Sequence, residues 1–287
     1  MSPHAPGDRI AKVLARAGLA SRRGAERMIL SGRRVAVNGK VIDSPALDVT
    51  EHDRITINGI PLPSPDRPRL WLYHKPAGLV TTASDERGRR TVFDDLPPEL
   101  PRVMSIGRLD LTSEGLLLLT NDGQIKRQLE LPATGWLRTY RVRVQGTPHE
   151  ANLAPLRNGI VIGGERFRPM KVAIDRQQGA NAWLTLGLRE GRNREIRRAM
   201  SMIGLRVNRL IRIAYGPFRL NQLKPGAVEE VKQKILADQL GLGSTRRDHA
   251  APQRHPPDHT GAKTGCKKRR RQSASPRWPV VARTRHL

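Results

Sequence analysis

Two charged residues stand where chemistry is plausible. Arg108 and Asp110 lie in a polar stretch opened by Gly107, just ahead of Leu116-Leu117-Leu118-Leu119 and Asn121-Asp122-Gly123. A short leucine run bounded by turn residues reads as a buried strand. A carboxylate in the loop entering such a strand is held still and partly desolvated, as an active carboxylate must be. On spacing alone, the more ordinary occupant of such a place is a loop aspartate that hydrogen-bonds its own backbone.

Other residues invite the same question. Thr139 to Val144 alternates with period two, which predicts a strand with one basic and one apolar face. Tyr140 on that strand is one of three tyrosines, and a lone strand tyrosine is usually a core residue. In Glu190-Gly191-Arg192-Asn193-Arg194-Glu195-Ile196-Arg197-Arg198-Ala199-Met200, Asn193 is suited to cap a helix whose inner face is Ile196, Met200 and Ile203. Arg194 and Arg197 are three apart and can point one way. A basic helix face laid on phosphate, using Arg192, Arg194 and Arg198, is the plainer alternative. His74 has no His or Cys partner at ligand spacing, so neither metal binding nor proton transfer is expected of it. Gly163-Gly164 and Gly241-Leu242-Gly243 complete no phosphate-binding fingerprint.

The 287 residues carry a formal charge of +26, which points to a polyanionic partner. Residues 241–287 hold 12 Lys/Arg against two acidic residues, so +16 remains on the first 240. No apolar run approaches the ~20 residues of a membrane span, and Met1 to Asp8 has no apolar core of a secretory signal. Lone Cys266 excludes an internal disulfide or Cys-based metal site. These features predict a cytoplasmic protein that binds nucleic acid rather than membrane.

Along the chain, residues 1–7 are expected to be disordered. Residues 8–60 read as two short helices followed by hairpins, with Ser21 capping the second helix and Asn38-Gly39 turning a hairpin. Arg22, Arg23, Arg27, Arg33 and Arg34 crowd this unit; they form either a solvated charged face or a set of phosphate contacts, the latter favoured. Four prolines between Pro61 and Pro68 predict a semi-rigid linker over 61–69. Residues 70–240 form the larger domain, with Leu70 to Lys75 as its first strand, Phe167 to Ile174 as a later one and Val228 to Leu240 as a last helix. Residues 241–287, with Lys267-Lys268-Arg269-Arg270-Arg271, read as a disordered basic tail.

Gly107-Arg108-Leu109-Asp110 with Ser113-Glu114-Gly115-Leu116-Leu117 resembles the catalytic motif of pseudouridine synthases, in the form of the RsuA/RluB/RluE/RluF group that modifies ribosomal RNA. "HKPAGLVTTASDERGRRTVFDDLP", "RTYRV" and "EGRNREIRRAM" are similar to further motifs of that family, and residues 8–60 resemble the ribosomal-protein-S-four-like (alpha-L) RNA-binding module. The resemblance implies an α+β fold: this small module, then a catalytic domain on a mixed, mainly antiparallel sheet. It implies isomerisation of a uridine to pseudouridine, most suitably in large-subunit rRNA, without metal or cofactor, by a monomer acting on ribosomal RNA or pre-ribosomal particles. It assigns Asp110 as catalyst, Arg197 as its ion-pair partner and Tyr140 as a base-stacking residue. Arg108 would fill the space left by an extruded uridine, and Lys75 and Arg192 would contact phosphate. Glu195, where many relatives have Gln, looks like the RluB-type variant. The same chemistry on 16S rRNA or tRNA, or a non-catalytic ribosome-assembly role, is the alternative.

Overall fold

Why the N-terminal residues fold is visible in their caps and turns. The computed structural model describes residues 7–241 except Arg33; the expectations for residues 1–6, Arg33 and 242–287 lie outside the described residues. β1 (Asp8–Arg9) leads into α1 (Ile10–Arg16) and α2 (Arg22–Leu30). Ser21 Oγ accepts the Gly24 N–H at 3.0 Å, satisfying one free donor at the start of α2. β2 (Val35–Val37) and β3 (Lys40–Val41) are joined by Asn38 and Gly39, whose φ angles of 52° and 81° suit a tight hairpin. β4 (Asp48–Val49) pairs with β1, while β5 (Ile55–Ile57) and β6 (Ile60–Pro61) complete a four-stranded sheet in the order β3-β2-β5-β6. Ile10, Leu14, Ala25, Ile29, Val35 and Ile55 form its core.

The larger domain starts with β7 (Leu70–Lys75), followed by β8 (Met104–Ile106), β9 (Glu114–Thr120), α3 (Gly123–Glu130) and β10 (Arg138–Gln145). Then come α4 (Glu150–Asn158), the small hairpin β11 (Val161–Ile162) and β12 (Glu165–Arg166), β13 (Lys171–Gln178) and β14 (Asn181–Leu188). α5 (Glu195–Met202), β15 (Arg206–Tyr215), β16 (Phe218–Arg219), β17 (Val228–Glu230) and α6 (Gln233–Leu240) complete it. The main sheet runs β13-β14-β10-β15-β9-β7-β17, with β16 on β15 and β8 on β9. Its pairings are antiparallel except β9 with β15, where Ile211 faces Glu114 and Arg212 faces Gly115.

The leucine run is continuous because both faces of β9 are covered. Leu117 and Leu119 join one core with Trp71, Tyr73, Val142, Leu184, Ala199 and the α4 residues Leu153 and Leu156. Leu116 and Leu118 join a second core with Ile125 and Leu129 of α3 and Leu236 and Leu240 of α6.

Three local expectations are corrected. Val228–Glu230 is a strand, not the start of a helix: it pairs with Trp71–Tyr73, and helix begins only at Gln233. Phe167 is buried in the connection ahead of β13, which starts at Lys171 rather than Phe167. Asn193 does not cap α5; the cap position is Arg194, in left-handed backbone at φ 48°, with no side-chain cap bond.

Candidate active site

The loop between β8 and β9 carries Arg108 and Asp110 and is fastened at several backbone groups. Glu130 accepts the Gly107 N–H at 2.6 Å. Thr81 Oγ1 donates to Leu109 O at 2.8 Å and accepts the Leu109 N–H at 3.3 Å. Gly78 N–H donates to Leu111 O, and Ser113 N–H closes a turn onto Asp110 O at 3.0 Å. Lys75 Nζ donates to Ser113 O at 2.9 Å, and Arg197 donates to Thr112 O and Oγ1 at 3.3 and 3.0 Å. Such anchoring fixes a reacting group before substrate arrives.

Asp110 stands where two cavities meet. One, of about 150 Å³, is lined by Tyr140, Leu210, Arg212, Glu195 and Ile196 as well as Arg108 and Asp110; that is about the volume that holds one six-membered ring. The other, about 570 Å³ and more polar, is lined by Thr81, Asp85, Arg87, Arg89 and Asn193, again with Arg108, Asp110 and Arg194. Tyr140, 9% exposed, presents its ring to the smaller cavity from the apolar face of β10. Arg108 is exposed at the rim of both.

The ion-pair partner expected of Asp110 is corrected. Arg194 Nη1, not Arg197, lies within ion-pair distance, 3.9 Å from Asp110 Oδ2. Arg197 is spent on Thr112 and on Val207 O at 3.1 Å. Burial and the neighbouring Arg194 charge pull the Arg197 guanidinium below its ordinary pKa, and the Asp110 charge opposes this. Asp110 is thus in the field of Arg197, which shapes its loop.

Lys75 is no phosphate contact. It is fully buried and donates to Pro76 O and Ser113 O, both at 2.9 Å. Burial pulls its pKa down to about 8, with the Asp110 and Glu114 charges opposing. Arg192 lines the smaller cavity, but Glu190 at 2.8 Å and Glu165 at 2.6 Å already engage its guanidinium. Its expected free contact with phosphate is therefore corrected to a structural ion-pair network shared with Arg198. Glu195 is buried, accepts the Arg192 N–H at 3.1 Å and has its pKa raised, chiefly by burial. His74 is structural: its Nδ1 lies 2.7 Å from Leu223 O.

Two contributors escaped sequence reasoning. Arg194 was read only as one member of a basic face. Arg212 is 2% exposed, lines the smaller cavity, donates from Nε to Leu116 O at 2.6 Å and leaves Nη2 without a partner. Its sequence signal was an arginine at an inward position of the alternating β15, between Leu210 and Ala214. In the N-terminal module, Arg22, Arg23, Arg27 and Arg34 are all exposed, and among the described residues none of the four is in an ion pair.

Comparison with known proteins bears on these arrangements. Residues 69–202 match the RNA pseudouridylate synthase family and residues 8–55 the S4 domain. A Rickettsia felis protein described as an uncharacterized RNA pseudouridine synthase is 47% identical over 228 residues, covering 79% of this chain and 98% of that one. A Pseudomonas aeruginosa protein named ribosomal large subunit pseudouridine synthase B is 39% identical, over 84% of this chain and 65% of its own length. A crystal structure of a pseudouridylate synthase aligns with TM-score 0.56 and 26% identity, over 79% of this chain and 97% of that one. No helix among the described residues is long and apolar enough to cross a membrane. With an S4 domain ahead of a synthase domain on a mixed, mainly antiparallel sheet, this chain belongs to the RNA pseudouridine synthase family.

Proposed function

We propose that the protein converts one uridine of large-subunit ribosomal RNA to pseudouridine, with Asp110 as the reacting carboxylate. The observation that carries this reading is the position of Asp110, on a fastened loop at the mouth of a ring-sized cavity beside a wider polar groove. In the reaction the bond from N1 of uracil to the sugar C1′ breaks, the base turns, and C5 bonds to C1′. The proton on C5 leaves and N1 gains one, so nothing is consumed. Asp110 either bonds to the nucleotide or removes a sugar proton. The large-subunit target follows the printed name of the Pseudomonas relative.

The other residues serve that step. A base inside a helix is out of reach of a recessed carboxylate, so the uridine must be extruded; exposed Arg108 is placed to fill the gap. Tyr140 stacks on the uracil. Arg194 compensates the Asp110 charge, and Arg212 backs the wall of the ring-sized cavity from β15. Mapping pseudouridine across 23S rRNA, 16S rRNA and tRNA with and without the protein tests the assignment: a site lost only from 16S rRNA or tRNA would overturn the large-subunit target.

Tyr140→Ala is expected to reduce turnover by on the order of a hundredfold, since a misplaced reacting ring loses that much, while RNA affinity falls by no more than the ~1–3 kcal/mol of one stacked base. Single-turnover kinetics beside equilibrium binding separates the two; a variant with normal turnover and lost affinity would make Tyr140 a docking residue. For the N-terminal module, removal of residues 1–60 is expected to weaken rRNA binding and flatten the plot of log affinity against log salt. An unchanged slope would mean that Arg22, Arg23, Arg27 and Arg34 do not read phosphate.

A further inference from the structure

The sheet has a second charged face, away from Asp110. Side chains alternate along β10: Tyr140, Val142 and Val144 enter the core, while Arg141 and Arg143 point to solvent. On that outer side α3 and α6 supply the core over β7 and β9, whereas α4 and α5 contribute to the Tyr140-side core. Among the described residues, no helix core covers the half of the outer face made by β13, β14 and β10. There the register sets Arg176 opposite Trp183, Trp183 opposite Arg143, and Arg143 opposite Arg209. This row crosses four strands, about 14 Å at the usual strand spacing.

The row is poorly designed for stability alone. Like charges directly opposite on neighbouring strands repel, as Arg143 and Arg209 do. Arg209 is compensated by Glu114 at 2.8 Å, and Arg141 has Asp175 at 3.8 Å. Arg143 and Arg176 are exposed, and among the described residues neither makes an ion pair or a side-chain hydrogen bond. They flank the one aromatic ring of the row. One face of that ring is occupied by the Arg141 guanidinium, 4.7 Å from its centre, and the ring itself is half-buried. A cationic surface whose aromatic ring already has one face taken suits the sugar-phosphate backbone of a duplex, which proteins read by shape and charge.

We propose that this open half-sheet is a second docking surface for RNA, on which Arg143 and Arg176 seat the backbone of a helical segment while the opposite side holds the target uridine. The proposal rests on the RNA-modifying reading above and extends it. The enzyme would grip two parts of a folded RNA, one on each side of its sheet.

Binding of the full-length protein to a 24-base-pair RNA duplex, measured by fluorescence anisotropy at several salt concentrations, tests it. Arg143→Glu with Arg176→Glu is expected to weaken binding about tenfold and lower the salt slope by about two, one per lost phosphate contact. Arg143→Lys with Arg176→Lys should retain affinity within about twofold, because a point charge suffices at phosphate. Neither variant should melt below the unaltered protein, the two side chains being exposed and Arg143→Glu relieving the repulsion with Arg209. Unchanged duplex affinity and slope in the charge-reversed protein would overturn the proposal. So would intact duplex binding with loss of binding to a poly-glutamate peptide, which would assign the face to an acidic protein. Pseudouridine formation is assayed separately: a protein that makes none, yet loses duplex affinity on charge reversal, retains this surface and refutes only the reaction.

Discussion

Asp110→Asn is expected to lower pseudouridine formation by on the order of a thousandfold or more, with RNA affinity within about twofold of the unaltered protein. Asparagine keeps the shape and removes the charge, so it can neither bond covalently as a carboxylate nor accept a proton. The loop should survive the change, because its hydrogen bonds run through backbone groups of Gly107, Leu109, Leu111, Thr112 and Ser113 and through the Asp110 carbonyl. Affinity should survive because the change leaves every exposed cation in place. Single-turnover modification of rRNA transcripts, paired with filter binding, measures both quantities. Modification at the normal rate by the asparagine variant would remove Asp110 from the chemistry.

Gly115→Ala is the second large effect, and it acts through the backbone. Gly115 has φ +99°, a conformation that L side chains rarely adopt, and a Cβ there would lie 2.3 Å from the Arg212 carbonyl oxygen and 2.7 Å from the Arg212 nitrogen. Neither neighbour is a flexible side chain that could swing aside. β9 and β15 would have to part at their parallel contact, taking Arg212 and the end of the Asp110 loop with them. Strain and lost pairing together put the destabilisation at about 4 kcal/mol or more, a fall in Tm of about 10 °C for a domain of this size. Thermal unfolding followed by circular dichroism checks this; a Tm within about 2 °C of the unaltered protein would show that the two strands separate freely.

The sequence was most legible where local rules and the final fold agree. Ser21 caps α2, Asn38-Gly39 turns its hairpin, and the alternation read over residues 139–144 gives β10 its two faces. It was misleading where a distant partner decides. Val228–Glu230 has no local reason to be extended; it becomes a strand because Trp71–Tyr73 offers an edge far away in the chain. The resemblance implied a phosphate contact for Lys75, yet the side chain is fully buried, which is rare for lysine. What holds it inside is the carbonyl of Ser113, 38 residues on. Arg197 was placed beside Asp110 by resemblance alone; Arg194, which stands there instead, adopts the left-handed backbone that precedes α5, a local geometry that helical spacing does not show. Arg212 was foreseeable in principle, as a charge at an apolar place in an alternating strand.

The parallel contact between β9 and β15 has a consequence for the protein's birth. Arg212 and Leu116, joined by a hydrogen bond, are 96 residues apart, and Arg194 and Arg197 lie in between. While the chain is being made, the loop that bears Asp110 emerges long before the segments that brace it. A partial chain ending ahead of Arg194 would carry the acid but none of these three arginines. If the proposed reaction holds, a nascent chain is expected to make no pseudouridine until the segment through Arg212 has emerged.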